Sequence, residues 1–386
     1  MTHPNKIFAE LEQAWRAQHW PNLAKAQLIY ADIEPVLDEL VADKKLEHAA
    51  IGTSYLGTPI RRLTLGHGPM VVLAWTQMHG NESTATAAVL DWLRLLLAKH
   101  LHGLPDDWQD LLTLHVIPML NPDGAAEGTR ETAQGIDMNR DALTQQTPEG
   151  RLLWQQVQTL KPTVAFNLHD QNPYYAAGEG GDPATIAFLA PAYHPDKHVD
   201  GPRLRAKQLI AHMRQILSHW LPQGIGRYDD TYSQRSFGDA IAGTGASTIL
   251  IESGEYRGDP NRQVARKLNV MALQAGLTAL LSGVYQDYSL ADYYAIPDNV
   301  SDGFVDIKIT HVTIDDGEHA AYQVDLCLNR SEQPHQGYTI EFVGDSTGQQ
   351  GLEELDGKGL TWQQLPQLGA VADGLLAALR EQLSQR

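Results

Sequence analysis

"PMVVLAWTQMHGNESTATAAVLDWLRLLLAKHLH", residues 69–102, sets a continuous apolar run beside a long amphipathic pattern, with a polar junction between them. Val71 to Trp75 show no period-two alternation, as expected of a strand covered on both faces. Residues 83–102 carry apolar side chains at three- and four-residue spacing, which predicts a helix with Ser83 or Thr84 as its N-cap. A strand buried on both faces and followed by a helix is the repeating unit of an α/β sheet. The junction "TQMHGNES", residues 76–83, holds His79 and Glu82 at the mouth of that strand.

The unit recurs along the chain. "LLTLHVIPML" (111–120) reads as a second buried strand and ends in the turn "NPDG" (121–124). A helix over 149–160 leads to a third strand, "PTVAFNLHD" (162–170). A helix over 201–221 leads to a fourth, "ASTILIESG" (246–254), and a long helix follows over 261–285. This alternation predicts an α/β fold with a mostly parallel or mixed central sheet and helices on both faces. Upstream, 8–18 and 33–45 read as helices, and 47–66 as a hairpin with two turn signals. Near residue 290 the composition shifts. Residues 304–314, 320–329 and 337–344 alternate with period two, as antiparallel strands of a small β-rich appendage would, and 365–383 closes the chain as an amphipathic helix. The expected division is a catalytic domain over 1–290, including an N-terminal helical extension, and a C-terminal domain over 291–386.

Composition narrows the function. Forty-seven acids against 29 bases give a net charge of -18, with no basic cluster. That balance disfavours both nucleic acid and an anionic membrane surface as partners. Cys327 is the one cysteine, so an intrachain disulfide and a cysteine-based metal site are both excluded, and any metal is left to His, Asp and Glu. The N-terminus lacks a basic and then apolar leader, and apolar runs fall short of the roughly 18 residues a membrane span needs. A cytoplasmic protein is the default expectation.

The polar residues gather by position. His79 follows the first buried strand, Asn121 and Asp123 the second, His169 and Asp170 end the third, and Glu252 ends the fourth. In open parallel sheets, ligands bind outside the carboxyl ends of the strands. A lone histidine is more often structural than a ligand, and an H-x-x-E pair alone recurs by chance. Joined to a second strand-end histidine, the pair makes a donor set of two imidazoles and a carboxylate. That set suits a catalytic divalent ion with an open position.

The order of motifs resembles that of the zinc carboxypeptidases, the M14 metallopeptidase family, over roughly residues 27–285. It runs H-x-x-E (His79, Glu82), N-P-D-G (Asn121 to Gly124), Arg130, "DMNR" (Asp137 to Arg140), His169, and Glu252 in "TILIESG". "IGTSYLGTPIRRLTLG" is similar to the family's entry hairpin, with Thr58 where an arginine is usual. The resemblance implies one Zn2+ on His79, Glu82 and His169, with Asp137 orienting His79 from outside. It implies Glu252 as general base, Arg130 as oxyanion stabiliser, and Asn139 with Arg140 as the clamp on a substrate's terminal carboxylate. Tyr232 is the nearest match for a tyrosine closing over the substrate, with Tyr228 and Tyr256 as competitors. Asp239 reads either as a determinant for basic side chains or as a helix cap.

The expected activity is zinc-dependent hydrolysis of the C-terminal amide of a peptide, or of a small amide with a free carboxylate. The closest alternative is a deacylase of N-acyl amino acids like the aspartoacylases and succinylglutamate desuccinylases. It shares the ligand pattern, and the interval of 87 residues from Glu82 to His169 is short enough to keep it open. A non-catalytic binding or interaction protein on the same fold is the other, and edge strands of the β-rich tail would let a second copy pair into a homo-oligomer.

Overall fold

The computed structural model describes residues 4–42, 46–98, 103–331 and 337–385; the ends of two expected helices, at 43–45 and 99–102, lie outside them. The chain forms two compact units. One takes the residues up to Gln171 and Ala184–Asn299, and the other takes Asn172–Pro183 and Val300 onward.

The first unit is built on α1 (Pro4–Gln18), α2 (Tyr30–Val41), β1 (Leu46–Thr53), β2 (Pro59–Leu65), β3 (Met70–Thr76), α3 (Thr84–Leu97), β4 (Leu112–Ile117), α4 (Pro122–Glu127), α5 (Pro148–Leu160) and β5 (Val164–Asp170). It continues with β6 (Ile186–Leu189), α6 (Gly201–Leu217), β7 (Ile225–Arg227), α7 (Phe237–Ala242), β8 (Ser247–Ser253) and α8 (Gln263–Ser282). The strands make one eight-stranded mixed sheet in the order β1-β2-β4-β3-β5-β8-β6-β7. Its centre, β4-β3-β5-β8, is parallel throughout. The hairpin β1-β2 adds antiparallel to β4, and β6 adds antiparallel to β8.

The apolar run of β3 is explained by its two faces. Val72 and Ala74 pack into a core with Trp92 of α3, Leu209 of α6 and Leu273 of α8. Leu73 and Trp75 pack into the opposite core with Leu153 and Val157 of α5 and Phe237 and Ile241 of α7. Both faces are therefore covered, and the strand has no polar side to show. The helices on the first face are also tied by charge. Arg266 of α8 donates two bonds to Asp91 of α3 at 2.8 and 2.7 Å, and Asp91 accepts the Trp15 indole N–H and the Trp20 backbone N–H as well, each at 2.8 Å. Both ions are buried, and the surrounding donors offset their desolvation.

β6 and β7 are strands that the sequence pattern did not predict. At four and three residues they are too short to display a period. The topology of the centre matters for function. The chain leaves β3 to form β4 on one side, then returns to form β5 on the other. Such a reversal opens a crevice at the carboxyl ends of the two flanking strands, here β3 and β5.

The second unit holds β9 (Phe304–Ile314), β10 (Tyr322–Arg330), β11 (Tyr338–Gly344), β12 (Gln350–Asp356) and α9 (Asp373–Ser384), with strand order β11-β10-β9-β12. The first three pair antiparallel as expected, while β12 adds parallel to β9. Ile307, Ile309, Leu326 and Leu328 pack against Leu375, Leu376 and Leu379 of the closing helix. That helix starts at residue 373, eight residues after the expected start at 365. Gly369 lies at φ 78°, a left-handed position that breaks any helix begun at Pro366. Among the described residues, no helix is long and apolar enough to cross a membrane.

Candidate metal centre and active site

Three loops meet at the crevice, and their backbones are fitted to one another. The loop after β3 starts at Gln77, whose φ of 51° is left-handed for a residue with a side chain. Its amide holds it there. Gln77 Nε2 donates to the carbonyls of Leu28 and Gly80, both at 2.8 Å, and its Oε1 accepts from Thr86 at 2.7 Å. Gly80 packs against the turn after β4 so closely that a Cβ would lie 2.0 Å from the carbonyl carbon of Gly124. Asn121 caps that turn by accepting from Gly124 N–H, and its Nδ2 donates to Met78 and Glu131 carbonyls. Asp123 accepts from Ser54 and Thr58 hydroxyls and from Leu56 N–H, so it anchors the turn between β1 and β2.

On this frame His79, Glu82 and His169 converge. Each offers a ligand atom within 4.8 Å of the others, and all three are buried. His79 Nδ1 lies 2.6 Å from Glu82 Oε1, and His169 Nδ1 lies 2.7 Å from Glu82 Oε2. Nε2 of His79 faces Asp137 Oδ1 at 3.2 Å, outside the trio. Asp137 also accepts from Arg130 Nε at 3.1 Å, while Arg130 Nη1 sits 3.1 Å from His79 Nδ1 and 3.3 Å from Glu82 Oε1. Residues 79, 82, 130, 137 and 169 thus form one cluster.

Glu252 joins it through strand register. It is the cross-strand partner of His169 on the parallel pair β5-β8, so the two side chains emerge on the same face. Its Oε2 is buried with no hydrogen-bond partner, as is Nε2 of His169. The electrostatics separate the acids. Burial works against charge on Glu82, but His169 and His79 outweigh it and hold its carboxyl far below the usual range. Burial opposes charge on Asp137 too, and His79 and Arg130 hold it low. Burial also opposes charge on His79, yet Glu82 and Asp137 leave it raised. Glu252 goes the other way: burial pushes it up to about 8, against the pull of His169.

Two imidazole nitrogens and a carboxylate, buried and aimed at one point beside a further unpartnered carboxyl oxygen, are a donor set that fits a divalent ion. The outer bond from His79 Nε2 to Asp137 is the support a ligating imidazole ordinarily has.

The remaining candidates lie beside the cluster. Asn139 Oδ1 accepts from Phe237 N–H at 2.9 Å, at the start of α7, and Arg140 is exposed with Nη1 donating to the Asn139 carbonyl at 2.7 Å. Tyr232 is half-buried on the segment before α7 and makes no hydrogen bond to the trio. Tyr256 packs on Trp220, ring centroids 5.9 Å apart. Asp239 accepts from Ser233 N–H at 2.5 Å within the first turn of α7, and burial pushes it up to about 6.

Two residues were missed or misread from sequence. Gln77 gave no signal, because a buried amide that holds a loop has no spacing to reveal it. The N-cap of α3 was expected at Ser83 or Thr84, but Ser83 makes no capping bond, and its hydroxyl donates to the Ala26 carbonyl. Asp170 caps the helix from another strand instead, accepting from Thr84 N–H at 3.1 Å and Thr84 Oγ1 at 2.8 Å.

Residues 33–175 match the family described as zinc carboxypeptidase, Peptidase_M14. No curated protein sequence matches the chain. Among solved structures, a metallo-carboxypeptidase from Burkholderia cenocepacia is 16% identical with a TM-score of 0.53, over 67% of this chain and 70% of that one. A carboxypeptidase A from Helicoverpa armigera is 15% identical with a TM-score of 0.53, over 71% of this chain and 81% of that one. At such identities the likeness is one of fold.

Proposed function

We propose that this protein is a zinc-dependent metallocarboxypeptidase, hydrolysing the C-terminal amide bond of a peptide. The observation that carries the reading is the convergence of His79, Glu82 and His169, with Glu252 held beside His169 by strand register. The family match over residues 33–175 supports it.

In this reading His79, Glu82 and His169 hold the ion. Bound there, zinc would supply Lewis acidity and would bring the pKa of a bound water towards about 7. Glu252 Oε2 then accepts a proton from the attacking water and returns it to the leaving nitrogen. The Arg130 guanidinium, within 3.3 Å of the ligand atoms, donates to the oxygen on which charge develops. Arg140 receives the substrate's terminal carboxylate with its planar fork. Asn139 helps with Nδ2, since its Oδ1 is committed to Phe237. Tyr232 is assigned the closing hydroxyl.

The test is Glu252→Gln. It is expected to retain zinc and to lose hydrolysis of a dipeptide panel by at least about a hundredfold. Wild-type turnover in that variant would remove Glu252 as the base. Chelation is expected to abolish activity and added zinc to restore it. Turnover of N-acyl amino acids in place of peptides would move the substrate to the deacylase class while keeping the chemistry.

A further inference from the structure

The segment after β6 carries a second convergence of metal-competent groups, in "YHPDKH" (193–198). His194 Nδ1 lies 3.4 Å and His198 Nε2 3.3 Å from the same oxygen of Asp196. One ligand atom from each residue falls within 4.8 Å of the other two, and the imidazoles meet edge-on with centroids 5.2 Å apart. All three side chains are exposed.

The turn that presents them is built rather than loose. Arg203, buried in the first turn of α6, donates to the Ala190 carbonyl at the start of the segment. It also donates to the carbonyls of Lys197 at 2.6 Å and His198 at 3.2 Å near its end. One guanidinium therefore pins both ends of the loop. Lys197 takes a left-handed φ of 54°, and its N–H donates back to the His194 carbonyl at 2.9 Å, which brings His194 and His198 to either side of Asp196. A non-glycine residue held in that region is a cost that the surrounding bonds must offset. The Lys197 ammonium is drawn off to Asp230 at 2.7 Å, so it does not neutralise Asp196. Asp196 N–H donates to His194 Nδ1 at 3.2 Å, a bond that a metal ion on that nitrogen would displace.

The segment leaves the sheet in the direction away from the buried trio. β6 runs antiparallel to β8, with Ile186 opposite Ser253 and Leu189 opposite Leu250. The chain therefore leaves β6 towards the amino ends of the central strands, whereas His169 and Glu252 stand at their carboxyl ends.

We infer that His194, Asp196 and His198 form a second divalent-metal site on the surface of the first unit. Two imidazoles and one carboxylate favour zinc, copper or nickel over magnesium or calcium, which take all-oxygen sites. Three protein donors leave at least one position for water or for a donor from another molecule. A loop already held in shape loses little conformational freedom on binding.

The inference stands apart from the proposed activity, and its test separates the two. Chelator-stripped full-length protein is dialysed against buffered zinc at micromolar free concentration. The samples are wild type, His169→Ala, His194→Ala/His198→Ala, and the three substitutions combined. Because the loop residues are exposed, the fold is expected to be unchanged by circular dichroism. His169→Ala is expected to retain one zinc, and the combined variant to lose it. Asp196→Asn in the His169→Ala background is expected to weaken that zinc by removing the anionic donor. Equal zinc in His169→Ala with and without the loop substitutions overturns the inference, as does no zinc in His169→Ala alone. Loss of all zinc from wild type on loop substitution alone would uphold the surface site and sink the buried one.

Discussion

Gln77 shows how much of this site rests on a side chain that touches no reactant. Its left-handed backbone costs about 1–3 kcal/mol, and three hydrogen bonds from one amide hold it in place. Two of those bonds bind the loop carrying His79 to itself and to the chain before α2. Gln77→Ala keeps the unfavourable φ and removes the restraint, so zinc affinity at the buried trio is expected to fall about 10–100-fold in a chelator competition, as when outer support of a ligand is lost. Unchanged affinity would show that Gly80 and Asn121 hold the loop without it. At this scale the sequence was informative about chemistry and, beyond Asp137, silent about support. His79, Glu82, His169 and Glu252 each stand at the end of an apolar run, so their positions were legible. Gln77 lies two residues before His79 yet carries no pattern, because its partners Leu28 and Thr86 become neighbours only after folding.

Asp170 makes the same point for an element. A helix leaves its first N–H groups without intrahelical partners, and α3 receives one acceptor from β5 rather than from its own preceding residue. The bond ties the helix start to the strand that carries His169, so capping and site assembly are one arrangement. Asp170→Ala is expected to lose about 1–2 kcal/mol in chemical denaturation, and Asp170→Asn, which keeps an acceptor oxygen, to recover most of it. Equal stability of the alanine variant and wild type would remove Asp170 as the cap. Elements of the fold were legible in proportion to their burial. β3, β4, β5 and β8 are apolar runs flanked by periodic helices, and each was expected within a few residues of its observed bounds. β12, "GLEELD" after Gln350, is a polar strand at the sheet edge and was not, because it buries only Gly351 and so shows no alternation of apolar side chains.

At the scale of the molecule, two opposed effects of acid decide stability. The net charge of -18 at pH 7 falls towards zero near the isoelectric point of 5.2, which relieves self-repulsion. Against this stand His115 and His212, both lowered to about 4. Burial is the main cause for each, joined at His115 by the charge of Arg62. These imidazoles are neutral in the folded protein where the unfolded chain would already bind a proton. The unfolded state therefore takes up more protons between about 6.5 and 4, and their contribution is intact above that window and lost as pH falls through it. After allowance for solvent screening, each loss is about 1–2 kcal/mol. The melting temperature is therefore expected to drop between pH 6.5 and 4 despite the smaller net charge. His115→Gln/His212→Gln is expected to flatten that drop at low and at high salt alike, since screening acts on the surface charge and not on buried rings. An acid limb as steep in the double variant as in wild type would remove His115 and His212 as its cause.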